Sequence, residues 1–501
     1  MKKIGLIASL LLAFSAVASA GNAGEGCPAV RDAADRSGTQ RALHEILISP
    51  DGALLDPNSY AEIRGRDNER RYICAILDNM RASKQAQAGT QPVIFIHGGL
   101  NTKKGIGERV DRLSPHMLDD NKYPIFVSWL SGPWTNYGDH LFMIRQGQRK
   151  PLYGVATFPF VFVEDTTRSV ARLPASLWNL VSNQAEIAKS VNTREEKDAY
   201  KRKDLLVSEG QFHLHGDGER VGFGLRDFVQ VVNPLKIIAA PLADGFGKGA
   251  WGSMLRRTDL VLRSPCSYEG PVADTNCNGD GGDTAVALMF ELMKSTPSGD
   301  TGKPLAERPM LLVGHSMGAI VANGILARYP EFNFDRVVYM GAASPVKYVG
   351  RALSPYLLRH PEAQFYNLSL DPYKELAENP AFDSVPRGSL LVWIDQFLGD
   401  VNSFEDRTAG SWFNFVRSAK NVFPDKEGLR QRVHITRFGI TGKDRADQGP
   451  QRHSEFADYP FWVPGYWQAR PECLRRLEGN ANLSALPASC ADDEPGAAAK
   501  G

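Results

Sequence analysis

The chain predicts an α/β fold in which a mostly parallel sheet is covered by helices. Short apolar runs of strand length alternate with helix-length segments, several runs close on glycine turns, and 43% of the 501 residues are apolar, enough for one large core. "PVIFIHGG" (Pro92 to Gly99) reads as a buried strand ending in a turn, "GIGERVDRLSPHML" as the helix behind it, and "YPIFVSWLSG" (Tyr123 to Gly132) as the next strand. From about Pro133 to Asp280 the rhythm fails: aromatic clusters, prolines and the charged stretch "NTREEKDAYKRKD" mark an inserted module. It returns with "DTAVALMFELMKS" as a helix, "RPMLLVG" as a strand and "GAIVANGILARYP" as a helix. "DRVVYMGAAS", "AQFYNLSL" and "QRVHITRFGI" read as further strands, with "VKYVGRALSPYLLRH" and "SLLVWIDQFL" as helices between them.

The first twenty residues place Lys2 and Lys3 before an apolar run that ends in "ASA" at Ala18 to Ala20, the pattern of a cleaved secretory leader. A secreted or periplasmic, soluble protein is expected, because no later run reaches the roughly 18 apolar residues of a membrane span. The predicted division is 1–20 leader, 21–132 and 281–490 as two parts of one α/β domain, 133–280 insertion, and 491–501 a disordered tail with little to bury. Lys and Arg number 58 against 57 Asp and Glu, with no long run of either sign, which argues against a nucleic-acid partner. Six cysteines lie beyond the leader, and their grouping predicts the disulfides Cys27–Cys74, Cys266–Cys277 and Cys473–Cys490.

"LLVGHSMGAIVANG" holds the chemistry. Ser316 sits between a strand and a helix with Gly314 and Gly318 two residues to either side, so a sharp turn can lift its hydroxyl above the sheet without side-chain collisions. The following helix aims its amides and positive dipole end at the place where an anion would form.

Strand, "GHSMG" and helix resemble the nucleophile elbow of the α/β-hydrolase superfamily, particularly its lipases and esterases. The resemblance covers roughly Pro92 to Gly132 and Asp283 to Phe461 and leaves the insertion unmatched. It implies an α/β-hydrolase fold with the insertion as a cap, and a triad in the order serine, acid, histidine. Only His360, His434 and His453 follow Ser316, and His360 falls in a helix ahead of the strand expected to carry the acid. His434 lies inside a strand, whereas His453 follows it in "DQGPQRHSEF", where the family places its base. Asp371, closing "QFYNLSLD" before Pro372, is the expected acid, with Asp395 and Asp406 as rivals and a strand-ending Asp-Pro turn as its plain alternative. "HGGLN" supplies a side-chain-poor backbone, so Gly99 and Met317 are the expected oxyanion amide donors, with Leu100 a neighbouring candidate and His97 structural.

No cofactor or metal is required by this chemistry. "DTNCNGDGGD" (Asp274 to Asp283) begins like a calcium loop, but Ala285 stands where the bidentate glutamate belongs, and a disulfide-pinned loop explains it as well. "PLYGVATFPFVFV" and "LPASLWNLV" are apolar enough to line a lipid-binding cleft or to form the insertion's own core, and they admit transient contact with a membrane surface. The expected function is hydrolysis of carboxylic esters, of small molecules or lipids, through an acyl-enzyme on Ser316. Acyl transfer or amide hydrolysis by the same triad, and a non-catalytic binding module on this fold, are the alternatives.

Overall fold

The computed structural model describes residues 26–27, 40–82, 90–145, 148–179, 181–182, 212–214, 234–263, 284–298, 302–378, 386–439, 449–477 and 486–491. The leader, the calcium-like loop, Cys266, Cys277 and nearly all of the tail lie outside these residues. In chain order the main elements are β1 (Glu45–Ile48), β2 (Leu54–Leu55), α1 (Arg66–Ala82), β3 (Gln91–Ile96), α2 (Lys103–Asp119) and β4 (Lys122–Trp129). There follow α3 (Pro133–Phe142), the small hairpin β5 (Ile144–Arg145) and β6 (Gln148–Arg149), α4 (Pro151–Ala171), β7 (Phe212–Leu214) and α5 (Pro234–Asp259). The last part comprises α6 (Ala285–Ser295), β8 (Met310–His315), α7 (Gly318–Arg328), β9 (Phe334–Met340), α8 (Val346–Arg359), β10 (Gln364–Leu370), α9 (Pro372–Ala377), α10 (Trp412–Val422) and β11 (Val433–Phe438).

One sheet of order β2-β1-β4-β3-β8-β9-β10-β11-β7 organises the chain; its strands pair in parallel except for β2, which is antiparallel on one edge. Helices on both faces bury alternate residues in opposite directions, which is why the strands read as continuous apolar runs. In β3, Ile94 and Ile96 enter the larger core with α1, α6, α7, α8 and α10, while Val93 and Phe95 enter the other with α2. That second face is completed by an aromatic segment after β11, where Tyr459, Phe461, Trp462, Tyr466 and Trp467 are all buried. Three strands toward the sheet's two ends were not foreseen: β2 and β1, which precede the first expected strand, and β7, which lies within residues 133–280 and pairs with β11.

The insertion's described helices pack on one another. α5 crosses α4 so closely that a Cβ on Gly245 would lie 1.8 Å from Ser169 Oγ, and one on Gly249 would lie 2.5 Å from the His140 ring, so both crossings need glycine. Further along, α5 joins the main core through Trp251 and Met254, and the turn after it through Val261.

Cys27–Cys74 and Cys473–Cys490 form the two expected disulfides that fall among the described residues. Such bonds belong to an oxidising compartment. No helix of the described residues is long and apolar enough to cross a membrane. The Cys473–Cys490 bond ties the C-terminal segment at Gly465, where a Cβ would meet Cys473 Sγ at 2.3 Å. Replacing both cysteines by alanine should lower the unfolding free energy by about 3 kcal/mol, from the loop entropy returned to the unfolded chain, as read by denaturant unfolding of the oxidised protein.

Candidate active site

Ser316 occupies the turn between β8 and α7 with φ +52°, in the left-handed region that a residue bearing a Cβ rarely enters. The surroundings hold it there. Its amide donates to Met340 O at 2.8 Å, and its carbonyl accepts from Ala319 and Ala343 at 3.2 and 3.0 Å. The flanking glycines have steric causes: a Cβ on Gly314 would press on Ala319 at 2.9 Å, and one on Gly318 would lie 2.1 Å from Ile96 O. From β3, Gly98 comes so near that a Cβ there would touch Ser316 Cβ at 2.8 Å.

His453 opens a short 3-10 turn after β11 and reaches Ser316 across 137 positions of sequence: its Nε2 lies 3.0 Å from Ser316 Oγ. Both residues are buried. Three contacts fix His453. His315 Nε2 donates to the His453 carbonyl at 3.1 Å, the His453 amide donates to Glu378 Oε2 at 3.1 Å, and the imidazole lies over Gly341, whose Cβ would meet it at 2.8 Å. Gly341 is also at φ +51°. Burial, then the neighbouring His453, hold His315 well below the ordinary imidazole range, so it stays neutral.

The acid facing the imidazole is not Asp371. That carboxylate caps α9 by accepting from the Tyr373 amide at 3.0 Å and has Arg437 at 3.8 Å. One turn along the same helix, Glu375 Oε1 faces His453 Nδ1 at 3.8 Å. Neither atom has a partner within hydrogen-bond distance, and each is buried, so the pair is matched across a short gap. Ser389 donates its hydroxyl to Glu375 Oε2 and leaves Oε1 turned to the imidazole. Burial disfavours charge on His453, yet Glu375 and then Glu378 outweigh it and raise its pKa above the usual value. The Glu378 carboxyl is itself raised, chiefly by burial, with His453 opposing.

The other residues singled out from sequence lie in structural roles. Asp395 is half-buried and accepts from Thr408 and Asn414 at 2.8 and 2.6 Å, with its carboxyl raised by desolvation to about 6. Asp406 caps a 3-10 turn through Ser403 at 3.0 Å and pairs with Lys347. His434 bonds Gln364 at 2.9 Å and stacks on Tyr366.

Gly99 packs between the two methionines Met317 and Met254, so the two expected amide donors are neighbours. A network not foreseen from sequence orients the loop. Trp129 donates its amide to His97 Nε2 at 2.9 Å, which leaves the ring proton on Nδ1, and Nδ1 lies 2.5 Å from Gly98 O. Asn101 Nδ2 donates to the carbonyls of Gly98 and Gly99 at 2.6 and 3.1 Å, and Arg109 holds Asn101 Oδ1 at 2.8 Å. In a trans peptide the carbonyl and the next N–H point in opposite directions, and no peptide here is cis. Tying down the Gly98 carbonyl therefore turns the Gly99 N–H away from Asn101, and the Gly99 carbonyl does the same for Leu100, itself at φ +62°. Burial, then Arg109, push His97 down to about 3, so it remains neutral.

Among the described residues no group of three or more histidine, cysteine or carboxylate side chains could hold a metal ion. No protein-family model, curated protein or solved structure matches the chain. Glu375→Gln should lower the His453 titration midpoint by about one to two pH units, the usual effect of removing a facing charge, whereas Asp371→Asn should leave it in place. Imidazole NMR titration of the two variants against the parent checks this without reference to any substrate.

Proposed function

We propose that the chain is a serine hydrolase of carboxylic esters, built on an α/β-hydrolase fold with part of the insertion as a cap. The observation that carries this reading is the 3.0 Å contact between His453 Nε2 and Ser316 Oγ, with the serine held at positive φ on a strand-to-helix turn. Ser316 attacks the ester carbonyl as His453 Nε2 takes its proton, and Glu375 stabilises the resulting imidazolium. The tetrahedral oxygen is met by the Gly99 and Met317 amides, and the positive end of α7 adds to their field. Collapse expels the alkoxide, which leaves as alcohol with the proton from His453. Water then repeats the sequence on the acyl group, so that a carboxylic acid departs and Ser316 is restored. His97, Asn101 and Arg109 are positioning residues acting through the Gly98–Gly99 backbone.

Ser316→Ala should reduce turnover of short-chain activated esters by on the order of 10³-fold or more and abolish labelling by a fluorophosphonate. A variant that kept either property would overturn the assignment. Because His453 accepts a proton only when neutral, turnover should rise with pH through its raised pKa and fall away below it. Asn101→Ala should lower kcat by about tenfold with little change in KM, since the loop it holds would serve the transition state more than the ground state.

A further inference from the structure

The insertion's helices are built inside out. Along α4 the seam turned toward its neighbours carries Gly154, Asp165 and Ser169, all buried. Asp165 accepts from the Tyr137 hydroxyl at 3.2 Å and lies 3.1 Å from His140 Nε2, while Asp244 of α5 accepts from Ser176 at 2.9 Å and pairs with Arg172. As far as Val163 the exposed side of α4 is apolar, with Leu152 90% exposed, Phe160 77% and Val163 62%; Glu164, Thr166 and Thr167 are exposed beyond it. Leu152, Pro159, Val163, Val170 and Leu173 follow the three- and four-residue spacing of one helical stripe, and no charged residue occurs between Lys150 and Glu164. Leu235, Ile238 and Leu242 on the first turns of α5 are exposed as well, as is Trp178 at 70%.

A helix facing water places its polar residues outward and its apolar ones inward. Here carboxylates are sheltered and bonded inside the helical packet while aliphatic and aromatic side chains face out, the polarity suited to surroundings of low dielectric. The stripe has no charge over its first half with which to register a protein partner, whereas a lipid surface needs none. Tyr153 and Trp178 are of the residue types enriched where a bilayer meets water. At about 1.5 Å per residue, α4 extends some 30 Å, and no described helix has the length and hydropathy to cross a membrane, so the geometry calls for lying along the surface.

We infer that the outer face of α4, with the Trp178 segment and the start of α5, seats in the interfacial layer of a lipid bilayer with the helix axes in its plane. This does not rest on the hydrolase reading, and its test uses no catalysis. The intact protein is floated with vesicles of phosphatidylethanolamine and phosphatidylglycerol, beside the double variant Leu152→Asp, Phe160→Asp, whose positions are solvent-facing. The parent should float with the vesicles and the variant should partition at least about tenfold more weakly with an unchanged thermal melt. Vesicles with brominated acyl chains should quench the parent's tryptophan fluorescence more than that of Trp178→Phe, and this comparison decides the matter if the double variant misfolds. A parent that stays in the lipid-free fractions, a folded double variant that floats equally well, or equal quenching of parent and Trp178→Phe overturns the inference. So does a concentration-dependent dimer, abolished by the double variant, in a protein that ignores vesicles.

Discussion

The left-handed backbone at Ser316 is the constraint to which the rest of the site is referred. A non-glycine residue in that region costs of order 1–3 kcal/mol and persists only where its surroundings over-determine it. Here β9 fixes the amide through Met340, the first turn of α7 and the Ala343 amide share the carbonyl, and Gly314, Gly318 and Gly98 leave room for three close approaches. The contacts come from β8, from β9 and the segment after it, from α7 and from the segment after β3. The strain is thus distributed over the core, and the Ser316 hydroxyl is held toward His453.

His453 is fixed by a second set of contacts that act mostly on its backbone. His315, adjacent to Ser316, holds the His453 carbonyl, so Ser316 and His453 are coupled through neighbouring residues as well as through their own hydrogen bond. The buried aromatic segment from Phe456 to Trp467 anchors the chain just beyond His453 in the core on that face of the sheet. Docking of those rings is therefore part of what places the imidazole. Glu375 completes the arrangement from the first turn of α9, where the helix dipole favours a carboxylate.

Much of this was legible in the chain, and the failures have physical reasons. The strands β3, β4, β8, β9, β10 and β11 stand out because both faces of a parallel sheet are buried. β1 and β7 are too short to rise above an irregular background. The pairing of Ser316 with His453 followed from order along the chain and the turn glycines. The acid did not, because "DPYKE" carries two signals at once. An aspartate before proline at a strand end is also a helix cap with proline in the first turn. A capped helix bends the Asp371 carboxylate back on its own amides and presents Glu375, four residues on, along the same face. Reading the cap first would have shifted attention one turn. The His97–Asn101–Arg109 network left no comparable trace, since its geometry depends on Trp129 in a neighbouring strand.

The same dielectric argument governs the site and the insertion, with opposite arrangements. At His453 burial opposes the charged imidazole, and Glu375 and Glu378 outweigh that penalty, so the pKa of the buried ring lies above its usual value. In the insertion, burial shelters Asp165 and Asp244 with their partners while the apolar side chains are left outside. The two regions meet where Met254 of α5 lies against Gly99. One helix, α5, thus packs against α4 at Gly245 and against the loop after β3 at Met254.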